Sequence, residues 1–69
     1  MKNTIKVERA KKNMTQAELA DKLGVSRQTI NSIEKGKFNP STLLSLKIAH
    51  VFNEKIDNIF SLEEDDWET

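Results

Sequence analysis

Cysteine is absent from the 69 residues. That excludes a disulfide framework and any thiolate zinc site, and it suits a reducing cytoplasm. The single histidine, His50, has no second His or Cys with which to share a metal, so neither a metal site nor a cofactor is expected. No apolar run is long enough to serve as a signal-peptide core or to cross a bilayer, so no membrane partner is expected. Proline and glycine are scarce, one and two, while Leu, Ile, Lys and Glu abound. Such a chain is expected to be all-α. Its length allows one small domain, near the lower limit at which an apolar core suffices without staples.

The net charge of zero hides a strong asymmetry. Residues 1–50 carry ten basic and four acidic side chains, whereas residues 51–69 carry one basic and seven acidic. A basic body with an acidic tail fits a polyanionic partner, although segregated surface charge alone would look the same.

One stretch organises the rest, TQAELADKLGVSRQTINSIEKG from Thr15 to Gly36. Thr15 is a good N-cap and Glu18 completes a capping box. Ala17, Leu19, Ala20 and Leu23 recur at helical spacing. Gly24 ends that helix, because glycine takes the left-handed C′ conformation without penalty. Ser26 then caps a second helix whose inner face is Ile30 and Ile33. Ala20, four residues before Gly24, lets the two helices approach closely. Two short helices and a tight turn make a helix-turn-helix.

The pattern TQ–xxLA–xxxGV–S–xx–I–xxIE–G resembles the phage repressor/Cro-type (Xre-like) DNA-binding family. It matches at Thr15, Gln16, Leu19, Ala20, Gly24, Val25, Ser26, Ile30, Ile33, Glu34 and Gly36. The likeness extends over about residues 4–60. It implies a compact lambda repressor-like bundle of about five short helices that binds operator DNA, usually as a homodimer. The resemblance places the DNA-binding domain at residues 1–60 and leaves residues 61–69 as a flexible acidic tail.

Candidate roles follow from where each side chain falls. With Ile30 and Ile33 turned inward, Gln28, Asn31, Ser32 and Lys35 lie opposite, and Arg27 stands at the N-terminal edge. A recognition helix offers its N-terminal residues to base edges in the major groove. Arg27 can donate two bonds to guanine, Gln28 can bond adenine bidentately, and Ser32 suits either kind of base. Asn31 joins them as a base-contact candidate. Expected phosphate contacts are Gln16 and Ser26 at helix N-termini, Thr29, and the loop cations Lys35 and Lys37. In the resembled family an arginine at the Arg9 position pairs with the glutamate at Glu34, which ties the first helix to the third.

Outside that pair, Ile5, Val7, Ala10 and Met14 suggest a first helix capped at Asn3 or Thr4 and ending near Lys12. In relatives a leucine or alanine often stands at Glu8, so that turn is expected to face water or pack differently. Ser41 should cap a fourth helix with Leu44, Ile48, Val51 and Phe52 inside. Leu43, Leu46 and His50 lie on its other side, which asks for a cover. Asn53 stands at the helix stop, and a short fifth helix carries Ile56, Ile59 and Phe60. The expected dimer interface comprises Leu43, Leu46, Ile56, Ile59, Phe60 and, in the tail, Trp67.

The residues therefore point to a sequence-specific, double-stranded-DNA-binding transcriptional regulator in the cytoplasm. A homodimer would read a palindromic operator through residues 27–35, with repression as the family's commoner mode. The alternative is an antitoxin-type interaction module that caps a toxin and binds its own promoter. An enzyme is not expected, because no nucleophile or acid–base constellation surrounds His50, and no small-molecule substrate is evident.

Overall fold

Helix α2 (Gln16–Leu23) begins at Thr15, whose hydroxyl accepts the Glu18 amide at 3.0 Å while Glu18 Oε1 accepts the Thr15 amide at 3.0 Å. The two bonds close the expected capping box. In this computed structural model, which describes residues 1–68, Gly24 ends the helix at φ +72°. A Cβ there would meet nothing within 4 Å, so glycine is demanded by the left-handed backbone and not by crowding. Helix α3 (Arg27–Glu34) follows at once, with Ser26 Oγ accepting the Thr29 amide.

The described residues add three more helices, α1 (Ile5–Lys11), α4 (Thr42–Phe52) and α5 (Ile56–Ile59). Ser41 caps α4 through the Leu44 amide, and Asn53 ends it at φ +53°. Asparagine tolerates that conformation second only to glycine. Lys55 starts α5 without a side-chain cap, which suits its single turn. Ile5, Leu19, Ile30, Ile33, Ile48 and Ile59 are fully buried together, one or more from every helix. Complete burial of one such side chain contributes about 1.5–3 kcal/mol, so the helices depend on each other more than on propensity.

The structure adds to one expectation and corrects another. Residues 1–4 do more than cap α1. Lys2–Asn3 form a short strand, β1, paired antiparallel with Phe60–Ser61, β2, in the register Lys2 to Ser61 and Asn3 to Phe60. Asn3 Nδ2 also donates to the Ile33 carbonyl at 2.8 Å, and Asn3 Oδ1 accepts the Ile5 amide, so Asn3 rather than Thr4 supplies the side-chain bond that starts α1. The expected acidic tail is structured in its described part. Past β2 it folds into a 3₁₀ turn, Glu64–Trp67, with the Met1 ammonium 3.3 Å from Glu63 Oε1 and 3.2 Å from Asp66 Oδ1. The bond to Asp66 raises the ammonium above its ordinary pKa. The Glu63 amide, assisted by the ammonium, holds the Asp66 carboxyl below its own. Thr69, the last residue of that tail, lies outside the described residues.

Of the two expectations for Glu8, different packing holds and not exposure to water. The residue is buried on α1 and keeps its charge satisfied by Lys11 Nζ at 3.1 Å, one turn on. Among the described residues, no helix is long and apolar enough to cross a membrane.

Candidate nucleic-acid interface

Burial of Ile30 and Ile33 against α2 decides what α3 shows to solvent. Arg27 and Gln28 are exposed on its first turn, and Asn31 and Ser32 are half-buried on its second. Gln28, Thr29 and Ser32 line one shallow cleft together with the exposed ring of Phe38. Phe38 lies in the turn between α3 and α4 and carries no helical spacing that would mark it. The loop after α3 folds back on the helix and sets that ring beside the three polar groups.

Arg27 borders a second cleft with Arg9, Asn13, Met14, Thr15 and Gln16, across the N-terminus of α2. An anion there would meet free first-turn amides of α2 and the exposed Arg27 guanidinium, an arrangement suited to a backbone phosphate. Lys35, the C-cap residue of α3, and Lys37, just past Gly36, are both exposed on the adjoining loop. Gly36 holds φ +74° there, and Lys37 returns its amide to the Ser32 carbonyl at 2.9 Å. The loop is thus pinned to the helix whose residues it flanks.

Between the clefts runs a polar network. Arg9 donates Nε to Glu34 Oε2 at 2.6 Å and Nη2 to Oε1 at 3.0 Å, while Nη1 reaches the Met14 carbonyl at 2.9 Å. The side chains of Arg9 and Glu34 are only 14% and 7% exposed. The carboxylate's bonds raise the guanidinium above its usual pKa, so the charge is permanent. Gln16 Nε2 then donates to Glu34 Oε1 at 3.2 Å and to Asn31 Oδ1 at 3.3 Å. One chain of bonds therefore fixes α1, the start of α2 and the second turn of α3 relative to one another.

That network refines two expectations. Both amide hydrogens of Gln16 are engaged inside the protein, so a phosphate would be met by the α2 backbone amides before the Gln16 side chain. Asn31 accepts the Gln16 bond with its oxygen, which ties a side chain of α3 to the start of α2. Ser26 and Thr29 share a hydrogen bond between their hydroxyls at 2.9 Å. Two hydroxyls sharing one hydrogen leave the other free to donate outward.

The expected dimer residues divide. Leu43 and Leu46 are exposed, Ile56 and Phe60 are half-buried, and Trp67 is 76% exposed. Ile59 does not belong with them: at 1% exposure it is part of the core, where the Thr4 amide bonds its carbonyl. Counting α5 as one outward face put it there, but its single turn packs against α4 and β2 and buries Ile59 in the shared core.

The profile of the helix-turn-helix family matches residues 5–59, most of the chain. This protein belongs to that family, in its phage-repressor (Xre-like) branch. The family is one of DNA-binding transcription regulators. An uncharacterized HTH-type transcriptional regulator of Methanocaldococcus jannaschii is 58% identical over 66 residues, covering 96% of this chain and 100% of its own. One from Archaeoglobus fulgidus is 56% identical over 69 residues, covering 99% and 97%. The ImmF control region 10 kDa protein of Bacillus phage phi105 is 41% identical over 49 residues, covering 71% of this chain and 54% of its own.

Proposed function

We propose that this protein is a sequence-specific, cytoplasmic transcriptional regulator that binds a palindromic operator as a homodimer and represses by occluding polymerase. One observation carries the reading: burial of Ile30 and Ile33 leaves the Arg27–Gln28 edge of α3 in water, beside a cationic cleft at the start of α2. In this reading Arg27, Gln28, Asn31 and Ser32 contact bases, and Phe38 offers its ring to a thymine methyl. Ser26, Thr29, Lys35, Lys37 and the backbone amide of Gln16 hold phosphates and set the register. Support for a dimer is energetic. A single recognition helix reads few base pairs and buries little surface, whereas two-fold pairing doubles both and spaces half-sites about one DNA turn apart.

Selection of bound sequences from a random duplex pool tests this directly. A consensus with two inverted half-sites is the expected outcome. Failure to enrich any sequence, even in dilute salt where phosphate contacts are strongest, would overturn it.

A further inference from the structure

Two surfaces remain after the core and the reading face are assigned. The first is a groove of about 380 Å³ between α2 and α4, lined by Lys22 and Leu23 on one side and by Leu43, Leu46, Lys47, His50 and Val51 on the other. Leu43 and Leu46 are each more than half exposed there. The second is the 3₁₀ turn Glu64–Trp67, which presents the most exposed large apolar side chain of the described residues inside a run of carboxylates.

We propose that the two fit each other across a dimer: Trp67 of one copy docks in the α2–α4 groove of a second copy, between Leu43 and Leu46. The acidic residues beside Trp67 then face Lys22 and Lys47. The inference rests on the homodimer in the reading above and names the surface that makes it.

Charge and shape both argue for this occupant. The groove is an apolar floor flanked by two lysines, and the turn is an indole flanked by carboxylates, so each supplies what the other lacks. Glu64, Asp65 and Glu68 make no ion pair among the described residues. An indole covers about 150–250 Å² when buried and is favoured where one side stays wet. The turn is also preorganised. Met1 and the β1–β2 ladder hold its root, so docking orders little chain. Within one chain the turn lies beside Lys2 and shares no residue with the groove, which stays open to a neighbour. Reciprocal exchange, each turn into the other's groove, closes a two-fold pair.

The chain contains one tryptophan and no tyrosine, so intrinsic fluorescence excited at the indole reports Trp67 alone. Dilution of the full-length protein, followed by emission and by sedimentation velocity, gives both signals on one sample. We expect the emission to shift blue in step with the dimer fraction. Leu46→Glu and the pair Lys22→Glu with Lys47→Glu should each weaken self-association about tenfold or more, a change of about 1.4 kcal/mol per decade. Their emission should shift blue only at correspondingly higher concentration. Raising the ionic strength from about 0.05 M to about 0.5 M should also weaken the dimer. Glu64→Lys with Asp65→Lys should pair with the lysine-reversed groove and with little else.

A dimer whose Trp67 emission never shifts overturns the proposal, as does a Trp67→Ala variant that self-associates as tightly as the natural chain. A protein that stays monomeric at all concentrations overturns it too. Duplex binding is scored separately. If a dimer forms with shifted emission yet no oligonucleotide is retained, the DNA reading falls and the docking stands. If half-sites are bound but the emission is inert, the reverse holds.

Discussion

Arg9→Met removes three hydrogen bonds in one step, two to Glu34 and one to the Met14 carbonyl. Glu34 is left as a carboxylate 7% exposed, with Gln16 Nε2 at 3.2 Å as its remaining donor. Stranding one partner of a buried pair costs about 3–5 kcal/mol, whereas separating an exposed pair costs about 0–1 kcal/mol. Partial compensation by Gln16 places this site at the lower end of the buried range, about 3 kcal/mol. In a domain of this size each kcal/mol lowers Tm by about 4–8 °C, so the variant should melt about 12 °C or more below the natural protein. Circular dichroism at 222 nm in parallel melts would measure it. The double variant Arg9→Met with Glu34→Met should recover most of the loss, because an apolar pair of similar volume replaces the stranded charge. A single-variant loss under about 1 kcal/mol would refute the reasoning, since it would mean that the pair behaves as two solvated ions. The network makes a second demand. At a temperature where Arg9→Met is still folded, its duplex affinity should fall, because Gln16 and Asn31 lose the anchor that orients them.

On duplex DNA, Lys37→Ala should weaken every sequence alike and reduce the salt slope by about one charge, whereas Gln28→Ala should change which sequences are preferred. Equal effects on preference in competition titrations would undo that division. Thr15→Ala should cost about 1 kcal/mol, and Gly24→Ala about 1–2 kcal/mol from backbone strain alone, both read by urea melts. A neutral Gly24→Ala would mean that the turn can leave its left-handed conformation. Glu18 gives the pH dependence. The Thr15 amide lowers its carboxyl below the ordinary 4.5, so its contribution is complete above that value and is lost as pH falls through the lowered folded value. Tm differences between Glu18→Gln and the natural chain should therefore be flat near neutrality and close on acidification. A gap that widens on acidification would refute the assignment.

The parts of this molecule that were legible in sequence are those whose cause is local. Thr15, Glu18, Gly24, Ser26 and Ser41 each act within a few residues, and the structure uses each as its type dictates. Ile30 and Ile33 were placed inward by their spacing alone, which fixed the opposite face without knowledge of any other helix. Arg9 and Glu34 are 25 residues apart, and only the family pattern joined them.

What escaped has non-local causes. The β1–β2 ladder joins the two ends of the described chain through two residues on each side, too few for any alternation of apolar and polar positions to register. Asn3 reads as a helix cap, yet its side chain also reaches the C-terminal turn of α3. The acidic run 63–66 has the composition of a solvated tail, and only the nearness of the Met1 ammonium gives two of its carboxylates a reason to fold back. These contacts share a location, because they brace the end of α3 from which Lys35 and Lys37 project. The same acidic turn thus lies on a surface adjoining the cationic loop, where its charge would repel a phosphate that came too close. In the proposed complex, the cleft at the start of α2 and the cations Lys35 and Lys37 would draw the DNA backbone along α3, and the Glu63–Asp66 turn would limit how far past that loop a phosphate can lie.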